Sequence, residues 1–279
     1  MKVQFAKMNP TENMTILVRS PLPRTLHRVV AERLMAYKSV GGEQVGFIEP
    51  PSMPAARVRL QMMGGEFCGN ASMSLAALMA YEEGAPEGED MLYPLEVSGA
   101  AQTVWCRIRR NGDGFEGEVS MPLPMAIEDF ALLPGLRVPL VRFEGIAHAI
   151  VPMDRLSQAE ILREIPRWCE SAGADAFGAM LLDAQQRAMR PLVYVRDTGS
   201  CVWERGCGSG TAAVGCWMAA QAGRDLEITL SQPGGAMDAI VQWAGDRPAD
   251  VKIRGRVKLV AVGEAFVDMG EMDGAQFHV

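Results

Sequence analysis

The feature that most constrains this chain is a cysteine motif that occurs twice, once in each half of its 279 residues. Residues 65–72 have the sequence Gly-Glu-Phe-Cys-Gly-Asn-Ala-Ser, and residues 205–211 have Arg-Gly-Cys-Gly-Ser-Gly-Thr. In both copies a Cys-Gly pair precedes a residue that favours helix N-caps, Asn70 or Ser209, and then a run of small residues that suits a helix. The repeat indicates a duplicated unit, with each thiol at the N-terminus of a helix.

A helix N-terminus presents unpaired backbone N–H groups and the positive end of the helix dipole. Both stabilise anions, so we expect them to lower the pKa of a thiol and to provide a site for a carboxylate. Two such ends facing one cleft would hold an acid group between two thiols. The candidate catalytic residues are therefore Cys68 and Cys207, and the candidate backbone donors are Gly69, Asn70, Gly208 and Ser209.

A purely structural role is the alternative for each motif alone, because buried cysteine often serves as a small hydrophobic residue. The repeat favours function. Packing alone gives little reason to keep thiol, glycine and cap together in both halves while neighbouring positions diverge as far as Leu78 and Trp217. The other four cysteines lack this context and are predicted to be ordinary core or surface thiols.

Composition excludes several classes of protein. The chain is 48% hydrophobic and 22% charged, which is usual for a globular domain, and its net charge of -7 without a basic face argues against nucleic acid as a partner. The longest uncharged stretch, residues 206–223, is too polar for a membrane span, and no secretory h-region follows Met1, so we expect a cytoplasmic protein. The six cysteines form no CxxC pair and none has histidine at metal-site spacing, so no metal is expected.

The order of predicted elements indicates an α+β fold of two pseudo-symmetric domains, each a curled, mainly antiparallel sheet around its central Cys helix. We place the N-terminal domain at residues 1–122 and the C-terminal domain at residues 123–263. The proline-rich stretch 122–139 is the expected linker. Residues 264–279 are expected to return to the first domain as a separate last strand.

At this point the motifs show a resemblance to the diaminopimelate epimerase-like superfamily of cofactor-independent amino-acid racemases and epimerases. Residues 7–13, Lys-Met-Asn-Pro-Thr-Glu-Asn, are similar to the family's opening Lys-Met-His-Gly-Leu-Gly-Asn. Residues 42–45, Gly-Glu-Gln-Val, resemble its Gly-Ala-Asp-Gln-Val, and the two Cys motifs match its two catalytic cysteines. The resemblance implies substrate binding by Asn13, Glu43 and Gln44.

Two departures bear on the substrate. Glu204, Arg205 and Cys207 lie within four residues of one another, as in proline racemase and the histidine racemases, whereas diaminopimelate epimerases have a glycine-rich insert there. The family's Asn-Pro-His appears here as Ile-Ala-His, ending at His148. The resemblance adds Glu204, Arg205 and His148 as substrate-binding candidates. It implies inversion of the α-carbon of histidine or a similar polar amino acid by a thiol/thiolate pair without pyridoxal phosphate or another cofactor, with a homodimer as a possible assembly.

Alternatives remain open. Diaminopimelate epimerase is the nearest, and a non-catalytic two-domain protein that binds an anion or amino acid belongs to another class. An isomerase of the phenazine-biosynthesis type is disfavoured because that group works with carboxylates rather than a cysteine pair. A dithiol oxidoreductase is disfavoured by the absence of CxxC.

Overall fold

The computed structural model describes residues 1–269. The first half contains β1 (Lys2–Pro10), β2 (Thr15–Val18), a 3₁₀ turn (Arg24–Leu26), α1 (His27–Met35), β3 (Gln44–Glu49), β4 (Val58–Met62), α2 (Gly69–Glu82), β5 (Asp90–Val97), β6 (Val104–Asn111) and β7 (Gly114–Ser120). The second half contains β8 (Ala126–Leu133), β9 (Leu136–Arg142), β10 (Ile146–Pro152), α3 (Gln158–Ala172), β11 (Ala176–Asp183), β12 (Ala188–Val195), β13 (Ser200–Trp203), α4 (Gly208–Ala222), β14 (Leu226–Gln232), β15 (Gly235–Ala244) and β16 (Arg247–Phe266).

The two halves repeat one pattern of strand pairing. Strands β1 to β7 pair in chain order, with β2–β3 and β4–β5 parallel and the remaining pairs antiparallel. Strands β9 to β12 and β14 to β16 follow the same order, with β10–β11 and β12–β14 parallel. Helix α2 connects the parallel strands β4 and β5. Helix α4, preceded by β13, lies in the connection between the parallel strands β12 and β14. The predicted α+β fold of two similar curled sheets is confirmed.

Strand β16 joins the halves. Its residues 247–255 pair with β15, residues 252–257 pair with β7, and residues 257–266 pair with β1, so that β1 and β7 both bond to it and the first sheet closes. We expected a strand near residue 251 and a separate one after Gly263. The structure shows one strand because residues 255 and 263 are glycines within a continuous ladder and no turn follows them. The predicted returning segment 264–279 extends past residue 269, so its final ten positions lie outside the described residues.

Helices α2 and α4 are the centres of the two sheets because their sequences are small and apolar on every side, which is typical of a fully buried helix. The first twelve residues of α2 except Met79 are buried, and so are most of the corresponding residues of α4. Helix α3 packs outside, with Ile161, Ile165 and Trp168 on its buried face, and it begins with a capping box at Ser157. Within residues 1–269, no helix is long and apolar enough to cross a membrane.

The connection between β7 and β8 is shorter than the predicted linker 122–139. Most of that stretch is a hairpin of β8 and β9, whose turn has Gly135 at φ 77°, so residues 121–125 form the connection. Pro122 and Pro124 precede the hairpin, Pro134 lies in its turn and Pro139 lies within β9. Strand β3 was not predicted from the sequence.

A strained turn of the first half contacts the second half. Thr11 and Glu12 have φ of 50° and 58°, and the Asn13 amide donates to the Pro10 carbonyl at 3.0 Å. Two-residue turns of this kind normally contain asparagine or glycine. A Cβ placed on Gly206 would lie 2.2 Å from the Thr11 carbonyl oxygen, so the halves meet here at a position that only glycine fits.

We expect Gly206→Ala to lower the free energy of unfolding by about 1–3 kcal/mol, because the added methyl overpacks against a backbone carbonyl. Chemical denaturation measures the loss. Gly263→Ala is the control, since its Cβ would have its nearest contact at 3.7 Å. Equal stability of the two variants would contradict a tight contact at Gly206.

Candidate active site

Both cysteines are the N-cap residues of central helices. The Cys68 sulfur accepts from the Ala71 amide at 3.4 Å at the start of α2, and the Cys207 sulfur accepts from the Gly210 amide at 3.3 Å at the start of α4. The prediction that Asn70 and Ser209 are the caps was wrong. A thiol can reach the amide three residues ahead as a serine hydroxyl does, and the cysteine already occupies the capping position in both motifs.

The two helix N-termini converge on one side chain. A Cβ added to Gly69 would lie 2.9 Å from Ile253 Cδ1, and one added to Gly208 would lie 2.7 Å from the same atom. Asn70 crosses between the halves, donating from Nδ2 to the Gly206 carbonyl at 3.0 Å. The small residue after each cysteine therefore lets the two helix ends approach each other over β16.

The thiol pKa values do not follow the sequence expectation. Burial raises the pKa of Cys68 to about 12, outweighing the Ala71 amide that favours the thiolate. Burial raises the pKa of Cys207 as well, and the Glu204 carboxylate raises it further. The expectation that the helix N-termini lower these pKa values was wrong because desolvation exceeds the effect of the amides. Both residues are thiols at neutral pH.

A chain of polar side chains leads away from Cys68. Its thiol donates to Gln44 Oε1 at 3.0 Å, and Gln44 Nε2 donates to Asn13 Oδ1 at 2.6 Å and to Thr15 at 2.7 Å. Asn13 in turn donates to Glu43 at 2.9 Å. The structure thus brings together Cys68 and three candidates that the resemblance implied, and it adds Thr15, which carried no sequence signal.

Asn70 belongs to the same cluster. Its Nδ2 also donates to Asn13 Oδ1 at 3.1 Å, and its Oδ1 is buried without a hydrogen-bond partner among the described residues. An unsatisfied buried carbonyl oxygen is costly, by about 1–3 kcal/mol. Its side chain is therefore a candidate acceptor, beside the backbone donor role predicted from the sequence.

Two carboxyl groups face this cluster. Burial raises the pKa of Glu204 to about 7; a hydrogen bond from the Cys207 thiol lowers it and the Glu43 charge raises it. Burial also raises the pKa of Glu43, while the Asn13 hydrogen bond and the Arg205 charge act in the opposite direction. The Glu204 charge raises the pKa of both Cys68 and Cys207.

Arg205 lies at the edge of this cluster. Its exposed guanidinium pairs with Glu12 of the strained turn and donates to the Pro233 carbonyl at 3.3 Å. The structure therefore uses Arg205 to join the two halves. Glu12 was not a sequence candidate, although its place in the opening motif, where the family has glycine, could have indicated it.

The second cysteine has its own neighbours. Ser209 Oγ lies 3.6 Å from the Cys207 sulfur, and the Cys207 amide donates to Gln232 Oε1 at 2.8 Å. Gln232 was not among the candidates from the sequence. It holds the backbone that positions the thiol.

His148 is not joined to the cluster by any hydrogen bond among the described residues. Its ring is fully buried on β10, in edge contact with Phe143 at a centroid distance of 6.1 Å, and both ring nitrogens lack partners in the described part of the chain. Burial lowers the pKa of His148 to about 3, so the ring is neutral. Its predicted role in substrate binding gains no support from this placement.

The fold is shared with solved epimerases. A hydroxyproline epimerase from Agrobacterium vitis superposes with a TM-score of 0.70 at 14% identity, covering 96% of this chain and 94% of that chain. A predicted epimerase from Pseudomonas aeruginosa gives a TM-score of 0.67 at 19% identity, covering 96% and 99%. The chain therefore has the epimerase-like fold.

The family follows from sequence. The model of the histidine racemase CntK N-terminal domain matches residues 2–266. A histidine racemase from Fusobacterium nucleatum is 30% identical over 276 residues, covering 95% of this chain and 97% of the relative. One from Staphylococcus aureus is 30% identical over 276 residues, covering 95% and 98%. The chain belongs to the histidine racemase family, and it is an isomerase.

The raised pKa of Glu204 predicts a pH-dependent cost to folding. Below pH 4.5, the ordinary carboxyl pKa, Glu204 is protonated in both the folded and the unfolded state. Between pH 4.5 and about 7 the unfolded state releases this proton while the folded state keeps it, so wild type loses stability as the pH rises. We expect Glu204→Gln to gain stability relative to wild type across this range and to keep the gain at higher pH.

Urea denaturation across this pH range measures the effect. Glu144→Gln is the control, because it removes the same formal charge from an exposed position. A constant difference in unfolding free energy between Glu204→Gln and wild type would contradict the raised pKa of Glu204.

Proposed function

We propose that this protein inverts the α-carbon of free histidine, with Cys68 and Cys207 exchanging protons with its two faces and no cofactor taking part. The single observation that carries the proposal is that both cysteines cap buried helices whose first residues, Gly69 and Gly208, pack against one side chain, Ile253. The histidine racemases to which the chain is similar supply the choice of substrate.

The substrate carboxylate is proposed to bind between the helix ends. The first amides of α2 and α4, at Gly69, Asn70, Gly208 and Ser209, have no partner within their helices. Removal of an α-proton moves negative charge onto the carboxylate, and donors already aimed at that charge stabilise the transition state most. The small residues at these positions allow close approach.

Proton transfer then needs one thiolate and one thiol. The thiolate takes the α-proton and becomes a thiol, while the opposite thiol gives its proton to the other face of the carbanion and becomes the thiolate. Burial makes a thiolate more basic, which suits abstraction of a very weak acid. The Glu204 carboxyl accepts a hydrogen bond from the Cys207 thiol and is a suitable acceptor for its proton.

Cationic groups of the substrate fit the acidic cluster. The ammonium group can donate to Asn70 Oδ1, which has no hydrogen-bond partner among residues 1–269, and its charge can lower the pKa of a nearby thiol. Glu43 and Glu204 are suited to an imidazole, which donates hydrogen bonds from its nitrogens. Diaminopimelate would need partners for a distal ammonium and carboxylate, and Arg205 is already paired with Glu12.

The remaining expectations belong to the same proposal. We infer a cytoplasmic enzyme that acts on a free amino acid, assembles as a homodimer and has domains at residues 1–122 and 123–263. The location, the assembly and the domain limits remain predictions.

The two-thiol mechanism predicts that Cys68→Ser and Cys207→Ser each lower racemisation at least about 100-fold, because inversion needs an acid and a base on opposite faces. Either variant should still exchange the α-proton of one enantiomer. Chiral chromatography and mass spectrometry in deuterated buffer measure the two outcomes. Cys201→Ser is the control, since Cys201 is exposed.

Retention of full racemisation by either site variant would refute this mechanism. Loss of activity in the Cys201→Ser control would indicate that a cysteine-to-serine change inactivates the protein by destabilising its fold.

The substrate proposal predicts a higher kcat/KM for histidine than for lysine or LL-diaminopimelate. Glu43→Gln should raise KM for histidine about 10-fold or more, because one charge-assisted hydrogen bond contributes about 1.5–3 kcal/mol. Steady-state kinetics with each amino acid decide the question. A preference for diaminopimelate would restore the epimerase alternative and leave the two-thiol mechanism standing.

A further inference from the structure

Glu12 and Arg205 form an ion pair between the two halves of the chain. Arg205 lies two residues before Cys207 in the sequence. Glu12 directly precedes Asn13, whose side chain donates to Glu43 at 2.9 Å. The pair therefore borders the polar cluster of the site, with one member from each half.

The second half holds Arg205 in place. Its carbonyl accepts from the Gly234 amide at 2.7 Å, and its guanidinium donates to the Pro233 carbonyl at 3.3 Å. A guanidinium matches the geometry of a carboxylate, which it binds through two parallel hydrogen bonds. At the edge of a site for an amino acid, Arg205 would favour a ligand with a second carboxylate unless another group occupied the guanidinium.

Glu12 occupies the guanidinium from a strained backbone conformation. Its φ of 58° lies in the left-handed region that residues other than glycine rarely adopt. The Glu12 amide donates to Asn9 Oδ1 at 2.6 Å, and a Cβ placed on Gly234 would lie 2.6 Å from the Glu12 Cβ. Backbone strain that the surroundings enforce is typical of ligand sites. This strain places a carboxylate in front of Arg205.

The pair also balances charge beside the site. The Arg205 charge lowers the pKa of Glu43 and the Glu12 charge raises it, so the two side chains oppose each other at this carboxyl. With both present, Glu43 and Glu204 keep the cluster acidic, which suits a cationic side chain and disfavours an anionic one. Without Glu12, the same cluster would contain an unpaired cation.

We propose that Glu12 is a specificity-determining residue that, by pairing with Arg205, excludes amino acids with a side-chain carboxylate from the site. An exposed ion pair is weak, but Glu12 belongs to the same chain and competes with a free ligand at a high effective concentration. A glutamate side chain would meet an occupied guanidinium and acidic neighbours. The proposal rests on the proposed function, since it takes a free amino acid as the substrate.

Glu12→Gln tests the proposal, because it removes the charge and keeps the size of the side chain. We expect kcat/KM for L-glutamate, relative to kcat/KM for L-histidine, to rise at least about 10-fold through charge-assisted bonds to Arg205. Glu12→Gly should give the same rise and relieves the left-handed backbone, so it serves if Glu12→Gln folds poorly. Circular dichroism verifies the fold of each variant.

Two further variants test the cause of the rise. In the double variant Glu12→Gln/Arg205→Gln the rise should disappear, because the gain requires the guanidinium. Glu32→Gln is the matched control, since it also removes one charge and frees one exposed arginine, Arg28, on helix α1. It should leave the ratio unchanged.

Calorimetric titration with L-glutamate gives a readout that does not need racemisation. The Kd should be at least about 10-fold lower in Glu12→Gln than in wild type. Unchanged glutamate binding and selectivity in both Glu12 variants would overturn the proposal, and so would a gain that persists without Arg205 or appears in Glu32→Gln. A wild type that does not racemise histidine would refute the proposed function instead, and the glutamate titrations would still decide the role of Glu12.

Discussion

The whole arrangement depends on two buried helices that begin at the same place. Each helix end has an effective charge of about +0.5, so two ends in contact repel each other. The structure opposes this repulsion with covalent continuity and with bonds between halves. Strand β16 carries Ile253 under both ends and pairs with both sheets, while Asn70 bonds to the Gly206 carbonyl. The positive field is thereby fixed in place, where a carboxylate can use it.

The acidic groups beside the thiols favour a cationic ligand. Glu204 raises the pKa of both cysteines, so by itself it works against the thiolate that catalysis needs. A ligand that carries a carboxylate alone would meet two acidic residues as well as the helix ends. Under the proposed function, a zwitterion with a basic side chain satisfies both kinds of group at once, and charge selects the substrate before the shape of its side chain does.

The sequence predicted the duplication, both cysteine helices and most strands because these depend on local patterns that the two halves repeat. It did not predict the thiol pKa values, because burial of Cys68 and Cys207 comes from chain segments far apart in sequence. The caps were misplaced by two residues, since cysteine is outside the usual set of capping residues. The unbroken course of β16 was missed because its glycines resemble turn signals, and only pairing with three other strands shows otherwise.

The strained turn connects stability with the site. Thr11 and Glu12 hold a left-handed conformation that costs about 1–3 kcal/mol for each non-glycine residue, and such strain persists only when the surroundings enforce it. The surroundings here are the ion pair between Arg205 and Glu12, and Gly206, which packs against the Thr11 carbonyl. The next residue is Asn13, whose amide contacts Glu43, Gln44 and Asn70. Contact between the two halves therefore fixes the side chain at the centre of the polar cluster, so the cluster is complete only when the halves are together.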